Sequence, residues 1–359
     1  MTCEVSWFAA LCDDDYEFLG VHDPRLLSSW EHCRDIALTA ESAGFDNLLL
    51  PSGYAMGIDS VSFAAAIAPL LRRMRLLVAV RMGEMWVPQL ARQLATINQM
   101  LDGRLTVNVI SSEPPGQAME SGPRYRRTLE IMRVLRDLLD GKPVDYHGEF
   151  VSVTLDPPRI ATGRRCPPFY FGGLSEAARE VAAQAADVFL MWPDTLPGVA
   201  AVIGDMRKRA ARYGRDLRFG YRAHVIVRPT AAEARAAARR LLSRLDASTG
   251  ETIRRRSLDT TSAGVSRQNE LRATSDDEGY AEPNLWTGIG RARSGAGAAI
   301  VGAPDQVLAK LRAYQDLGME SFILSGYPHA AEADLFARYV LPHLDHAPIY
   351  AVPPSGPRN

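Results

Sequence analysis

The chain lacks the features that would place it in a membrane, on a nucleic acid or around a metal ion. No apolar run reaches the roughly 18 residues that a membrane helix needs, and the net charge is -1, from 41 basic and 42 acidic residues. The start of the chain has no basic segment of the kind that opens a secretory signal. The four cysteines stand apart, with no C-x-x-C pair and no histidine at zinc-like spacing; they are Cys3, Cys12, Cys33 and Cys166. These absences predict a cytoplasmic protein with reduced thiols that binds neither nucleic acid nor metal.

The sequence also has no fixed internal repeat and no G-x-G-x-x-G after its first strand, which disfavours a solenoid and a dinucleotide-binding Rossmann domain. What it does have is a regular alternation of short apolar runs with amphipathic helical stretches. Strands separated by helices, and apolar along their whole length, are typical of a parallel sheet covered on both faces. Eight such units predict a (β/α)8 TIM-like barrel. The predicted strands lie at 4–10, 46–50, 76–80, 105–110, 168–172, 187–191, 219–227 and 321–325.

Two segments interrupt this alternation. Residues 143–154 alternate between apolar and polar side chains, which predicts an inserted β-hairpin, and residues 246–300 contain a long polar stretch followed by a glycine-rich one. An insertion of that length in a compact domain is either a mobile lid or a disordered linker. We predict a long mobile loop before the last strand, within a single barrel domain over residues 1–346. A C-terminal tail follows at 347–359.

Candidate site residues gather at the predicted C-terminal ends of the strands, where barrel enzymes carry their chemistry. Arg222 and His224 lie two apart on the seventh strand and therefore share one face. A histidine there is either a hydrogen-bonded core residue or a general base. The neighbouring arginine favours a site, because a buried guanidinium needs an anion or a carboxylate partner. Trp192 ends the sixth strand, where it either packs at the rim or stacks on a flat ring. Tyr327 ends the eighth strand, where packing is the alternative to a site role.

Two glycine-rich stretches add candidates for binding anions. Gly172 and Gly173 lead through Ser175 into a helix, whose free N–H groups and positive dipole end suit a phosphate. The alternative is that Ser175 is an ordinary N-cap. Arg293 lies among small residues in "ARSGAG". That stretch is either a plain surface loop or a cationic loop that closes over an anion and excludes water.

Long collinear stretches between residues 5 and 345 resemble the two-component, reduced-flavin-dependent alkanesulfonate monooxygenases of the bacterial luciferase-like superfamily. The resemblance implies a TIM-like barrel that uses O2 and reduced FMN, with the FMN delivered by a separate NAD(P)H:FMN reductase. It implies oxidation of a small anionic substrate, an alkanesulfonate, to an aldehyde and sulfite, and assembly as a homo-oligomer. The stretches that carry it include "LLLPSG" (48–53), "ARQLATINQMLDGRLTVNVISS" (91–112), "PPFYFGGLSEAA" (167–178), "RFGYRAHVIVR" (218–228), "PNLWTGIGRARSGAGAAIVG" (283–302) and "GMESFILSGYPH" (318–329).

The resemblance also implies roles for individual residues. Positions that the family uses around the substrate and the oxygenated flavin are matched by Trp192, Arg222, His224, Arg293 and Tyr327. Flavin and phosphate contacts are expected from Asn108, Ser111, Tyr125, Gly172, Gly173 and Ser175.

Two residues predicted to line the substrate pocket depart from the family pattern. Cys12 stands where the family has a histidine, and Met56 stands where it commonly has a cysteine. These departures put the usual alkanesulfonate in question. The alternative is a luciferase-like flavin monooxygenase that acts on a sulfone, an amine or a carbonyl compound.

Overall fold

The computed structural model describes residues 2–53, 57–112, 116, 119–255, 262–293 and 295–351. Strands and helices alternate along most of this length. The strands are β1 (Glu4–Phe8), β2 (Asn47–Leu50), β3 (Arg75–Arg81), β4 (Leu105–Ile110), β5 (Val144–His147), β6 (Ser152–Leu155), β7 (Phe169–Phe171), β8 (Val188–Met191), β9 (Arg218–Val227), β10 (Tyr280–Glu282), β11 (Leu285–Trp286), β12 (Ala299–Gly302) and β13 (Ser321–Ser325). The helices are α1 (Trp30–Ala43), α2 (Ser60–Ile67), α3 (Val87–Met100), α4 (Ser121–Leu139), α5 (Glu176–Ala185), α6 (Leu196–Ala211), α7 (Ala231–Leu242), α8 (Ala247–Arg255), α9 (Ala263–Ala273), α10 (Pro304–Leu317) and α11 (His329–Tyr339).

Eight of these strands close into a parallel barrel. The order around the barrel is β1, β2, β3, β4, β7, β8, β9 and β13, and β13 pairs with β1 to complete the circle. Each barrel strand overlaps one of the eight apolar runs, so the predicted (β/α)8 fold is confirmed. The strands are apolar along their whole length because both of their faces are buried, one against the barrel interior and the other against the ring of helices.

The helices pack their apolar stripes on the outside of the barrel. In α3, buried Leu90, Ala91, Leu94 and Ile97 recur at spacings of three and four residues, which places them on the face that meets the strands. Burying one such leucine stabilises the fold by about 2 kcal/mol. The barrel interior is a separate and smaller apolar cluster, formed by Phe8, Leu49, Leu77, Tyr170, Val188 and Ile323.

The 246–300 insertion contains more regular structure than its polar composition indicates. Its described residues form α8, α9 and the strands β10 and β11. The insertion ends in β12, which pairs in parallel with the outer half of β9 and places Ala299 opposite His224. The hairpin of β5 and β6 lies at the other predicted insertion. The mobility of the 246–300 insertion stays a prediction.

The C-terminal segment covers the N-terminal opening of the barrel. His346 pairs with Cys3 beside β1, and Ile349 and Tyr350 pack against the inner apolar cluster. The hydroxyl of Tyr350 donates to the carbonyl of Asp187 at 3.1 Å. Residues that the sequence assigns to a tail therefore contact the barrel as far as Tyr350. No helix in the described ranges has the length and apolar character to cross a membrane.

Candidate active site

The candidate site lies at the C-terminal ends of the barrel strands. Arg222 and His224 on β9 both reach Ser325, the last residue of β13. Their common partner shows that the two side chains share one face of β9, as their spacing predicts. The ring of Tyr327 stacks on the ring of His224 with centroids 5.3 Å apart. Phe8 at the end of β1 lies against the guanidinium of Arg222, 4.3 Å from its ring centroid.

Arg222 is a buried cation whose partners are neutral. Its guanidinium donates to Ser325 Oγ at 2.9 Å and to the carbonyl of Ala223 at 2.6 Å. Within the described ranges no carboxylate pairs with it. Burial lowers the pKa of Arg222 to about 9, with Tyr327 opposing the shift and Arg293 adding to it. A buried cation without a counterion is costly unless an anion binds it, so this geometry suits an anionic ligand.

His224 is held as a neutral imidazole. Burial, followed by the positive charges of Arg222 and Arg293, lowers its pKa well below the ordinary value. Nδ1 lies 2.8 Å from Ser325 Oγ. Because Ser325 Oγ already accepts from Arg222, its own proton is free to go to Nδ1. Nδ1 of His224 therefore has a protein partner.

Arg293 approaches the site from the 246–300 insertion. It donates to Asp13 Oδ2 at 2.9 Å and lies 5.9 Å from the ring centroid of Tyr327. Burial lowers the pKa of Arg293, but Tyr327 and Asp13 more than offset this, so its pKa is raised and it stays charged. The hydroxyl of Tyr16 donates to Asp13 Oδ1 at 3.2 Å. Arg293, which the sequence predicts as a cation on a loop, is thus bound to the carboxylate of Asp13 beside the barrel mouth.

Trp192 lies under the same insertion. A Cβ atom added to Gly264 of α9 would stand 3.0 Å from its ring, and one added to Gly295 would stand 3.6 Å away. Gln268 of α9 donates to the carbonyl of Pro193 at 2.7 Å and accepts from the N–H of Gly297 at 3.2 Å. These contacts join the insertion to the end of β8. Trp192 is therefore half-buried at the rim, in contact with the segment that covers the mouth.

A buried cluster of Asp15, His329 and His32 was missed by the sequence analysis. Asp15 accepts from His329 Nδ1 at 2.7 Å and from the backbone N–H of His329 at 2.8 Å, and it lies 3.1 Å from His32 Nε2. Burial works against the carboxylate of Asp15, but His329 and His32 lower its pKa. The run of three aspartates after β1 was the available signal, because consecutive carboxylates next to a buried strand need partners.

The residues expected to contact flavin divide into two groups. Ser111 at the end of β4 is buried, and its hydroxyl lies 2.7 Å from that of Thr128. Asn108 is half-buried on β4. The neighbouring Ser112 is buried and its hydroxyl has no partner in the described part of the chain. The hydroxyl of the predicted contact Ser111 is thus paired, whereas the hydroxyl left without a partner among the described residues is that of Ser112.

The second group forms a cradle at the start of α5. Ser175 caps the helix by accepting from Ala178 N at 3.3 Å, as the N-cap alternative proposes. Gly173 has φ 152°, and an added Cβ would stand 2.6 Å from Ala178 Cβ and 3.5 Å from the hydroxyl of Tyr125. At Gly172 an added Cβ would lie 2.2 Å from the carbonyl oxygen of Leu190. Space beside the Tyr125 hydroxyl and the helix start is kept open by glycine, which fits a phosphate group.

Cys12 lies next to the site and Met56 is outside the described residues. A Cβ added to Gly53 would stand 3.0 Å from Cys12 Cβ, so the two loops meet closely. Burial raises the pKa of the Cys12 thiol, while the charges of Arg293 and Arg222 act in the opposite direction. The thiol is therefore neutral and serves as a small apolar wall. No cluster of metal-ligating side chains occurs among the residues that the structure describes.

Comparisons with known proteins agree with this geometry. The Luciferase-like monooxygenase family model matches residues 16–321. A sulfoquinovose monooxygenase from Novosphingobium aromaticivorans is 63% identical over 97% of this chain and 98% of its own length. A protein with the same name from Agrobacterium fabrum is 49% identical over 95% and 89%. In fold, the EDTA monooxygenase from Chelativorans matches with a TM-score of 0.75 at 16% identity, covering 96% of this chain and 93% of that one. The chain belongs to the luciferase-like monooxygenases, and the predicted flavin-dependent monooxygenase activity with reduced FMN and O2 is confirmed.

Proposed function

We propose that this enzyme oxidises sulfoquinovose, a sugar that carries a sulfonate, and releases sulfite. The observation that carries the proposal is the 63% identity with a sulfoquinovose monooxygenase along nearly the whole of both chains. The site supports it, because Arg222 is buried, has no carboxylate partner among the described residues, and can bind a sulfonate. The expected alkanesulfonate is thus replaced by a sulfonated sugar, in line with the departure at Cys12.

The proposed reaction balances with one molecule of each reactant. R–CH2–SO3⁻, reduced FMN and O2 give R–CHO, sulfite, oxidised FMN, water and one proton. Reduced FMN supplies the two electrons that reduce O2, so that one oxygen atom enters the aldehyde and the other enters water. The cradle at Gly173 and Tyr125 would hold the FMN phosphate.

Each protein group then has a physical task. Arg222 binds the sulfonate through its guanidinium fork, and Arg293 adds a second positive charge at the mouth. The contacts of Gln268 and Trp192 hold the insertion over the pocket, which keeps water from the reacting groups. Asp13 and Tyr16 supply polar atoms suited to sugar hydroxyls. A separate reductase, a homo-oligomeric assembly and a cytoplasmic location stay predictions.

The test supplies the purified protein with an NAD(P)H:FMN reductase, FMN and O2, and measures sulfite with a thiol-exchange dye. The substrate panel contains sulfoquinovose, glucose, straight-chain alkanesulfonates, a dialkyl sulfone, an alkylamine and a ketone. We expect sulfite from sulfoquinovose at a kcat/KM at least about 100-fold above that for any alkanesulfonate, because unpaired polar groups in the pocket penalise an apolar chain. Equal or higher activity with alkanesulfonates, or oxidation of the sulfone, amine or ketone instead, would overturn the proposal.

A further inference from the structure

A histidine outside the predicted site has the geometry of a base. His329 opens α11, two residues after Tyr327, and is 2% exposed. Its Nδ1 lies 2.7 Å from Asp15 Oδ1, and Asp15 is completely buried. A carboxylate that accepts from Nδ1–H fixes the imidazole tautomer and leaves Nε2 with a lone pair. Two backbone bonds fix the position of this pair, one from the N–H of His329 and one from the N–H of Tyr16.

The free nitrogen of His329 lies in the site. Nε2 is buried and has no hydrogen-bond partner in the described residues, and neither has the hydroxyl of Tyr327. The rings of the two residues lie edge to face with centroids 5.0 Å apart, and the ring of Phe8 stacks on the imidazole with centroids 5.7 Å apart. Buried polar atoms without partners are uncommon in folded proteins. Two of them side by side next to Arg222 indicate the position of a polar ligand.

His224 differs in this respect. Its Nδ1 bonds Ser325 rather than a carboxylate, and the ring lies beside two arginines. A proton placed on its ring would face both positive charges. His329 instead has the carboxylate of Asp15 behind it, 2.7 Å from Nδ1, so a proton that arrives at Nε2 meets a negative charge rather than two positive ones.

We infer that His329, rather than His224, is the imidazole that accepts a proton in the reaction, with Asp15 as the residue that positions it. The inference rests on the proposed function. Once oxygen has been inserted at the carbon that carries the sulfonate, that carbon holds a hydroxyl group. Nε2 of His329 takes the hydroxyl proton, the oxygen electron pair forms the C=O bond, and the C–S electron pair leaves with sulfite. The proton returns to solvent when the products leave.

The surroundings of His329 bear on its behaviour with pH. His32 on α1 contacts the same carboxylate from the outer side, with 16% of its side chain exposed. The other titratable or charged groups nearby are Asp13, Asp14 and Tyr16 after β1, Arg222 and His224 on β9, Arg228 after β9, Arg293 on the insertion, Tyr327 after β13, and Glu332 on α11, which pairs with Arg228.

The first test uses His329→Asn. The asparagine amide can replace Nδ1–H in the bond to Asp15 but has no counterpart of Nε2. We expect an unchanged Tm, continued oxidation of reduced FMN to hydrogen peroxide, and sulfite release from sulfoquinovose lowered about 100-fold. The matched control is His147→Gln, because His147 is exposed on the hairpin and lies 3.2 Å from Asp145. A folded His329→Asn protein with sulfite release within threefold of wild type would overturn the inference.

The second test keeps the histidine and removes its carboxylate. In Asp15→Asn the acid limb of the rate profile should move to lower pH, because the charge that stabilises a protonated ring is gone. In the resting protein without flavin, deuterium exchange at the ring carbon of each histidine, read by mass spectrometry, should show a shifted pH midpoint for His329 and none for His147. Unmoved midpoints and an unmoved limb would overturn the inference. If the wild-type enzyme released no sulfite, the proposed function would be refuted. The deuterium exchange of His329, which needs no substrate, would then still test the pairing of His329 with Asp15.

Discussion

The two ends of the barrel interior both hold buried polar side chains, but they use them differently. At the N-terminal end Glu4 accepts from the hydroxyl of Tyr170 at 2.8 Å, the hydroxyl of Ser321 at 3.1 Å and the amide of Asn47 at 3.4 Å. Among the described residues, the atoms without hydrogen bonds at that end are Glu4 Oε2 and Arg75 Nε, on groups of opposite charge. At the C-terminal end the described atoms without partners include Tyr327 OH, His329 Nε2 and Ser112 Oγ, and the first two lie close to the buried cation of Arg222.

This difference separates structure from chemistry. A carboxylate surrounded by donors from neighbouring strands holds those strands in register and needs no ligand. A cation without a carboxylate partner, and a hydroxyl and an imidazole nitrogen without hydrogen bonds, as found here among the described residues, are costly to bury unless a ligand binds them. The N-terminal end of the barrel interior, which we call the floor, is also covered by Tyr350, whose carbonyl accepts from Arg75. At the mouth, the described residues of the 246–300 insertion contact the strand ends.

The largest expected effect is from Arg222→Met at the mouth. Sulfite release should fall about 1000-fold because the main sulfonate contact is lost. The Tm should stay equal or rise, because an apolar side chain of similar volume replaces a buried charge without a counterion.

The pH dependence of this variant has a defined sign. Burial lowers the pKa of Arg222 to about 9, so the folded state disfavours the charged form and wild type is penalised below that pH. The penalty is relieved as the pH rises through about 9, so the Tm advantage of the variant should narrow in thermal unfolding at pH about 10. If Arg222→Met kept its sulfite release, or if its Tm fell, Arg222 would be a structural residue like those at the floor, and the contrast between the two ends of the barrel would be wrong.

Asp15→Asn should have the next largest effect, this time on stability. It leaves His329 and His32 without the buried carboxylate between them, and we expect a loss of about 3 kcal/mol at neutral pH. The pKa of Asp15 is lowered in the folded state, so its stabilisation is present above the unfolded value of about 3.9 and disappears as the pH falls through the folded value. Urea unfolding at pH about 7 and about 3 should give a smaller difference at the lower pH. A constant difference would contradict this account.

Arg293→Ala should lower sulfite release about 100-fold, because the charge and the bond to Asp13 at the mouth are both lost. FMN binding, followed by quenching of flavin fluorescence, should remain measurable because the cradle at Gly173 is untouched. Arg291→Ala is the matched control, since Arg291 is exposed on the same insertion. Unaltered turnover in Arg293→Ala would count against a role for the insertion in closing the site.

The smallest effect tests the floor. Tyr170→Phe removes a hydroxyl that donates to a buried carboxylate, and it should lower the free energy of unfolding by about 2 kcal/mol with no change in kcat/KM. Tyr213→Phe is the control, because Tyr213 donates to the carboxylate of Glu180 on the surface. There we expect a change below about 0.5 kcal/mol. A fall in kcat/KM for Tyr170→Phe would show that the floor takes part in the reaction.

Much of the site was predictable because it depends on strand order. Arg222 and His224 share a face by spacing alone, and a parallel barrel collects the ends of its strands at one rim. The sequence could not show that Nδ1 of His224 is occupied, since its partner Ser325 comes from a distant segment. Nor could it show that the 246–300 insertion contains α8, α9 and β12, because polar helices on a surface carry little apolar periodicity.

The sequence by itself determined the alternation of strands and helices, the barrel and the family, because apolar periodicity and glycine-rich turns act over a few residues. Tertiary structure alone decided which charges meet. Asp15 and His329 are 314 positions apart in the chain, and Asp13 and Arg293 are 280 apart. Such pairs form only when the first and last strands close the barrel, and no local pattern records which side chains that closure brings within hydrogen-bonding distance.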